Sequence, residues 1–287
     1  MLDFRYHAIS LAAVFFALIL GIVIGVGISG RGFVDKSERR NLENRIERLQ
    51  ARVDDLQEEN DGLRGSQEAG QEFMTDAYPV LMDNRLAGKR IAMVVVGASA
   101  GSAGGAVNRA LDDAEGTVSR YRAVKLPVAA TGVRRALTSL PAFRRMADAG
   151  HELGQEWVTG GKTPLADALA PVLVEEQRGT GNRPVDGVVV VQAEEPADAA
   201  TKQFLDGLYG GLGSSGVPVV AVEASRDEPS NVPAFQAYSG FSTVDDIDTT
   251  SGRLALALLL GGAQSGDYGV KPTATAPLPK IEPVPGA

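Results

Sequence analysis

The sequence predicts an N-terminal transmembrane helix and a parallel coiled coil, then an α/β Rossmann-like three-layer domain with a mostly parallel sheet. Three observations carry this. Ala8 to Ile28 holds no charged residue. From Leu42 to Leu63 the apolar residues recur at alternating steps of four and three. Beyond Gly88, short β-branched runs bounded by glycine alternate with helix-like stretches. The chain divides accordingly into an anchor (1–30), a coiled coil (31–65), a linker (66–87), an α/β domain (88–262) and a proline-rich disordered tail (263–287).

The anchor is long enough to cross a bilayer: about twenty apolar residues rise roughly 30 Å as a helix. The run exceeds a signal-peptide core, and no A-x-A-like site ends it. Ala17, Gly21, Gly25 and Ser29 recur every fourth residue. Small residues on one face let two membrane helices approach, and Gly21-x-x-x-Gly25 is the dimer form of that pattern. Arg5 precedes the span beside Asp3, while Arg31, Lys36, Arg39 and Arg40 follow it. By the positive-inside rule, these flanks place the body in the cytoplasm.

In the heptads, Ile46, Val53 and Asn60 take a, and Leu42, Leu49, Leu56 and Leu63 take d. β-Branched residues at a with Leu at d favour two parallel strands, and one Asn at a fixes register and dimer state. Glu59 at g can pair with Arg64 at e of a second copy. Helical periodicity fades after Gly62 and Gly65. Residues 66–87 read as a connector with some helix, carrying Phe73, Tyr78, Leu81 and Leu86 and interrupted by Pro79.

In the domain, Arg90–Val96 reads as a buried strand. Val107–Glu115 is a helix and Thr117–Leu126 a second strand. Gly132–Gly150 reads as two short helices split by Pro141. Thr163-Pro164 reads as an N-cap with proline at N1, opening a helix through Glu176. Gly187–Gln192 is a strand, Ala197–Leu212 a helix and Val217–Glu223 a strand. A fifth strand falls within Phe235–Val244, and Arg253–Leu260 closes as an apolar helix. Strands apolar on both faces imply a parallel sheet covered on both sides. The tail, with Pro272, Pro277, Pro279, Pro283 and Pro285, reads as extended.

Composition narrows the chemistry. A net charge of -8 argues against nucleic acid as partner. There is no cysteine, so thiolate sites and disulfides are excluded, and His7 and His151 are the two histidines. Gly97-Ala98-Ser99-Ala100-Gly101 has the G-x-S-x-G form of a nucleophile elbow. A serine hydrolase using Ser99 would need a histidine after the last strand, and His151 precedes two core strands. Neither a dinucleotide fingerprint nor a Walker pattern can be read over residues 97–106. Asp245, Asp246 and Asp248 lack EF-hand spacing and read as helix capping ahead of Arg253. Met74, Met82, Met93 and Met146 read as core filling, and Trp157 and His151 as domain surface. No catalytic residue, cofactor or metal ligand is assigned.

The opening RYHAISLAAVFFALILGIVIGVG and the closing VDDIDTTSGRLALALLLGG…DYGVK resemble the actinobacterial MctB/SteB family over nearly the whole chain. That resemblance implies an envelope protein. Its MctB side implies copper export through an outer-membrane channel. Its SteB side implies an anchored protein acting with SteA on cell-wall hydrolase control at division, its body outside the cytoplasm. A channel through an outer membrane should be a closed β-barrel of alternating strands, and the core strands here do not alternate.

The sequence therefore leads to a dimeric, membrane-anchored scaffold or regulator of cell-wall or septum assembly, holding its α/β domain off the bilayer. Its expected partners are a second copy, a SteA-like membrane protein and the lipid bilayer, with no nucleic acid. Its expected place is the inner membrane, single-pass, with an extracytoplasmic body. Copper transport, with an outer-membrane location, is the alternative.

Overall fold

The N-terminal part of the chain, an apolar run and then a charged heptad stretch, forms two long helices, and the rest forms an α/β sandwich. The computed structural model describes residues 4–28, 31–140 and 145–283. It comprises two units, residues 1–70 and 71–287.

In the first unit, α1 (Phe4–Ile28) is apolar on all sides. Among the described residues one helix is long and apolar enough to cross a membrane, over His7–Gly27. Helix α2 (Arg31–Met82) carries the heptads. As a single chain it leaves Leu42, Ile46, Leu49, Val53, Leu56 and Leu63 between 51% and 64% exposed. The helix does not end at Gly65. It runs on past Pro79 to Met82, where the linker was expected. Tertiary packing overrides the missing proline N–H: Met74, Tyr78, Leu81 and Met82 pack into the core of the second unit.

The second unit is one seven-stranded sheet, in order β3-β2-β1-β4-β5-β6-β7. Its strands are β1 (Arg90–Val96), β2 (Thr117–Val124), β3 (Val174–Arg178), β4 (Gly187–Gln192), β5 (Val219–Val222), β6 (Phe241–Val244) and β7 (Asp267–Tyr268). All neighbours are parallel except β2 and β3. Strands β1 and β4 are buried almost throughout, because helices cover both faces. One face holds α3 (Gly101–Asp113), α9 (Thr250–Gly261) and the end of α2. The other holds α4 (Ala130–Ala136), α5 (Met146–Thr159), α6 (Pro164–Leu173), α7 (Ala199–Gly213) and the short α8 (Val232–Phe235). The expected split at Pro141 lies outside the described residues.

Three sequence expectations change. The helix opened at Thr163 stops at Leu173, and Val174–Arg178 pairs antiparallel with β2 instead. Thr163 makes no side-chain cap bond; the Glu156 carboxylate takes that place, accepting from Leu165 N (3.1 Å) and Ala166 N (2.7 Å). The tail is ordered through residue 283. Strand β7 extends the sheet, Val270 N and Lys271 N donate to Asp245, and Lys271 Nζ meets Glu223 Oε1 at 2.6 Å. Partly buried hydrogen bonds hold it despite its prolines.

Candidate functional site

In a doubly wound sheet the connections reverse direction at one place, and the loops there part to leave a crevice at the strands' carboxyl ends. Here that place is between β1 and β4. A crevice of about 470 Å³ sits there, lined by Ser99, Ser102, Gln192, Glu195, Asp227 and Asn231, among others. A smaller cavity of about 290 Å³ shares Gln192, Glu195 and Asn231 with it.

Each wall has a local cause. Gly97 ends β1 with φ +115°, a conformation side chains avoid. Asp198 caps α7 through Ala200 N and Thr201 N, and Gln192 ends β4. Gln192 is fixed from two directions: Tyr209 Oη donates to its Oε1 at 3.0 Å, and its Nε2 donates to Asn231 Oδ1 at 3.3 Å. Below them Glu223, 4% exposed, accepts from Ser230 Oγ, Asn231 N and Lys271 Nζ. Lys271 Nζ also donates to the Asp227 carbonyl, so the tail helps to hold this wall. Burial pushes the Tyr209 hydroxyl upward, leaving it a donor.

The turn after β1 is not an anion cradle. Gly97 N donates to Val124 O, Ala98 N to Glu194 Oε1 and Gly101 N to Ser99 Oγ. A phosphate would have to displace Glu194. Ser99 Oγ therefore faces its own helix start, and no histidine lines the crevice. His151 is on α5, with Nε2 3.3 Å from Gln155 Nε2 and its Nδ1 beside Gly210. The crevice offers carboxylate oxygens from Glu195, Asp227 and Glu228, of which Asp227 already accepts from Ala224 N. Among the described residues no group of three or more His, Cys, Asp or Glu is placed to hold a metal ion.

The other sequence-selected residues fall into place separately. Ala17, Gly21 and Gly25 lie on α1; a methyl added at Gly21 or Gly25 would meet nothing within 4 Å. Ser29 lies outside the described residues. Asn60 is exposed on α2 with the six apolar heptad positions. The α9 cap is Thr249, which accepts from Gly252 N and donates to Asp246. Asp248 takes Ser225 N and Oγ, and Asp245 takes the tail. The aspartate cluster therefore orients the cap and the tail and does not itself cap α9. Met82, Met93 and Met146 are core residues. Trp157 is buried, 3% exposed, and not on the surface expected of it, because α5 packs it inward beside α6. The lysine and glutamate joining tail to crevice, Lys271 and Glu223, carry no sequence signal, since they lie far apart along the chain.

A family model described as "Copper transport outer membrane protein, MctB" matches residues 1–279. Two relatives named copper transporter MctB, from Mycobacterium tuberculosis and Mycobacterium bovis, are each 27% identical to this chain over 312 residues. The alignment covers 94% of this chain and 96% of theirs. With a match across all but its last few residues, this chain belongs to the MctB family.

Proposed function

We propose that this chain is a membrane-anchored protein of copper homeostasis in the cell envelope. The family match over residues 1–279 carries the reading. The anchor is the apolar helix His7–Gly27, single-pass in the inner membrane with an extracytoplasmic body; the family description makes the outer membrane the alternative. Among the described residues one helix is long and apolar enough to span a membrane, and one helix cannot enclose a conduit, so copper is read as cargo of an assembly. Two chains pair along α1 and α2. The support is the exposed row Leu42, Ile46, Leu49, Val53, Leu56, Leu63, which is costly to leave in water and matches a parallel two-stranded seam. The reading is non-enzymatic; among the described residues no histidine lines the crevice beside Ser99.

The exposed row also favours a second reading, a scaffold working with a SteA-like membrane protein in septum or cell-wall assembly. Deleting the gene from its host separates the two. Copper homeostasis predicts growth arrest at copper concentrations the parent tolerates, restored by the full chain. Unchanged copper tolerance with a septation defect would overturn it in favour of the scaffold.

A further inference from the structure

A cavity larger than the crevice lies elsewhere in the domain. About 790 Å³ opens at the β2–β3 edge, and its lining shares no residue with the crevice. Three cations line it: Arg120, Arg122 and Lys162. Arg120 is 1% exposed. Its terminal nitrogens donate to the carbonyls of Trp157 and Arg183, and its buried Nε has no partner. Arg122 donates to the carbonyls of Tyr121 and Arg178. Among the described residues none of the three is in an ion pair.

Carbonyl bonds satisfy donors but do not cancel charge. A buried guanidinium without a counter-charge costs free energy. The lining also holds two carboxylates, Glu156, which accepts from Leu165 N and Ala166 N, and the exposed Asp167, and neither is in an ion pair with the three cations. In a chain of net charge -8 this cavity gathers three cations against two carboxylates. Pro164, Ala170, Pro171 and Val174 give it an apolar side, and Thr163, Gln177 and Asn182 add polar groups. Convergent charges and an apolar side in a cleft of several hundred Å³ are features of a small-molecule site.

We propose that this cavity binds a small organic anion, whose carboxylate or phosphate oxygens pair with Arg120, Arg122 and Lys162 while its body lies on the apolar wall. Guanidinium groups match such oxyanions with charge-assisted bonds. The binding is independent of copper handling.

Trp157 is the single tryptophan and lines the cavity, so its fluorescence reports occupancy. The full chain in detergent is titrated with citrate and, separately, inorganic phosphate, with ionic strength held constant by sodium chloride. A saturable emission change is expected with at least one anion, and the arm that responds identifies the oxyanion. Arg122→Gln and Lys162→Gln should each raise Kd about tenfold, and Lys280→Gln should leave it unchanged. Lys162 is exposed, so its variant folds even if Arg122→Gln does not. No saturable change with either anion, or an unaltered Kd in Lys162→Gln, overturns the proposal.

Discussion

At the scale of single residues, the DTTSG stretch shows chemistry spent on structure. Asp246 is fully buried. Its Oδ2 accepts from Thr249 and Ser251, and its Oδ1 has no partner. Burial, with the charges of Asp245 and Asp248, raises its carboxyl above the ordinary range, against the pull of the two hydroxyls. A raised carboxyl pKa means the fold holds the proton more tightly than the unfolded chain does. Ionisation then costs stability: the cost is absent below the unfolded pKa and complete above the folded one. Asp246→Asn keeps an acceptor and cannot ionise. Its melting temperature relative to the parent should climb as pH rises above the ordinary carboxylate value of about 4. A difference flat with pH would show that burial does not control this group. Gly252 belongs to the same unit, since a methyl there would sit 2.0 Å from the Asp246 carbonyl. The aspartates were legible as a cluster at α9. Which of them binds the cap, the tail or Ser225 was not, because the partners come from other strands.

Between elements, two glycine patterns behave differently. On α5 and α7, Gly150, Gly154, Gly207 and Gly211 let backbones touch: a methyl on Gly154 would meet Leu208 O at 2.6 Å, and one on Gly207 would meet Ala147 O at 2.0 Å. Gly154→Ala and Gly207→Ala should each cost about 1–3 kcal/mol in thermal unfolding. Gly105→Ala, exposed on α3 with nothing within 4 Å, should be neutral or stabilising by up to about 1 kcal/mol. Gly21 and Gly25 on α1 share the spacing but have no neighbour in one chain. The same holds for the α2 heptads. With Val53→Cys, oxidation of membranes should yield a crosslinked dimer, since a positions face each other in a parallel pair; persistence of monomer would refute the seam.

For the molecule as a whole, topology is the open quantity with a direct measurement. The chain has no cysteine, so Ser66→Cys introduces a single thiol. An impermeant thiol reagent should label it in intact cells if the body is extracytoplasmic, as proposed; labelling only after lysis would place the body in the cytoplasm, where the flanking charges Arg31, Lys36, Arg39 and Arg40 point. The two possible ligand sites also belong to this scale. The crevice forms where the strand order reverses, a property of topology. The cationic cavity needs β2, α5, α6 and β3 together.

Composition and periodicity alone determined the apolar N-terminal helix, the helix that carries the heptad pattern, and the alternation of strands and helices, because these depend on neighbours within a few residues along the chain. The tertiary structure decided what depends on distant partners. It carried α2 through Pro79 onto the core, turned Val174–Arg178 into an edge strand, bound the proline-rich tail through Lys271 and Glu223, and left Arg120 buried with its Nε unpaired. Each of these is set by burial and by hydrogen bonds between segments far apart in sequence, which no local pattern records.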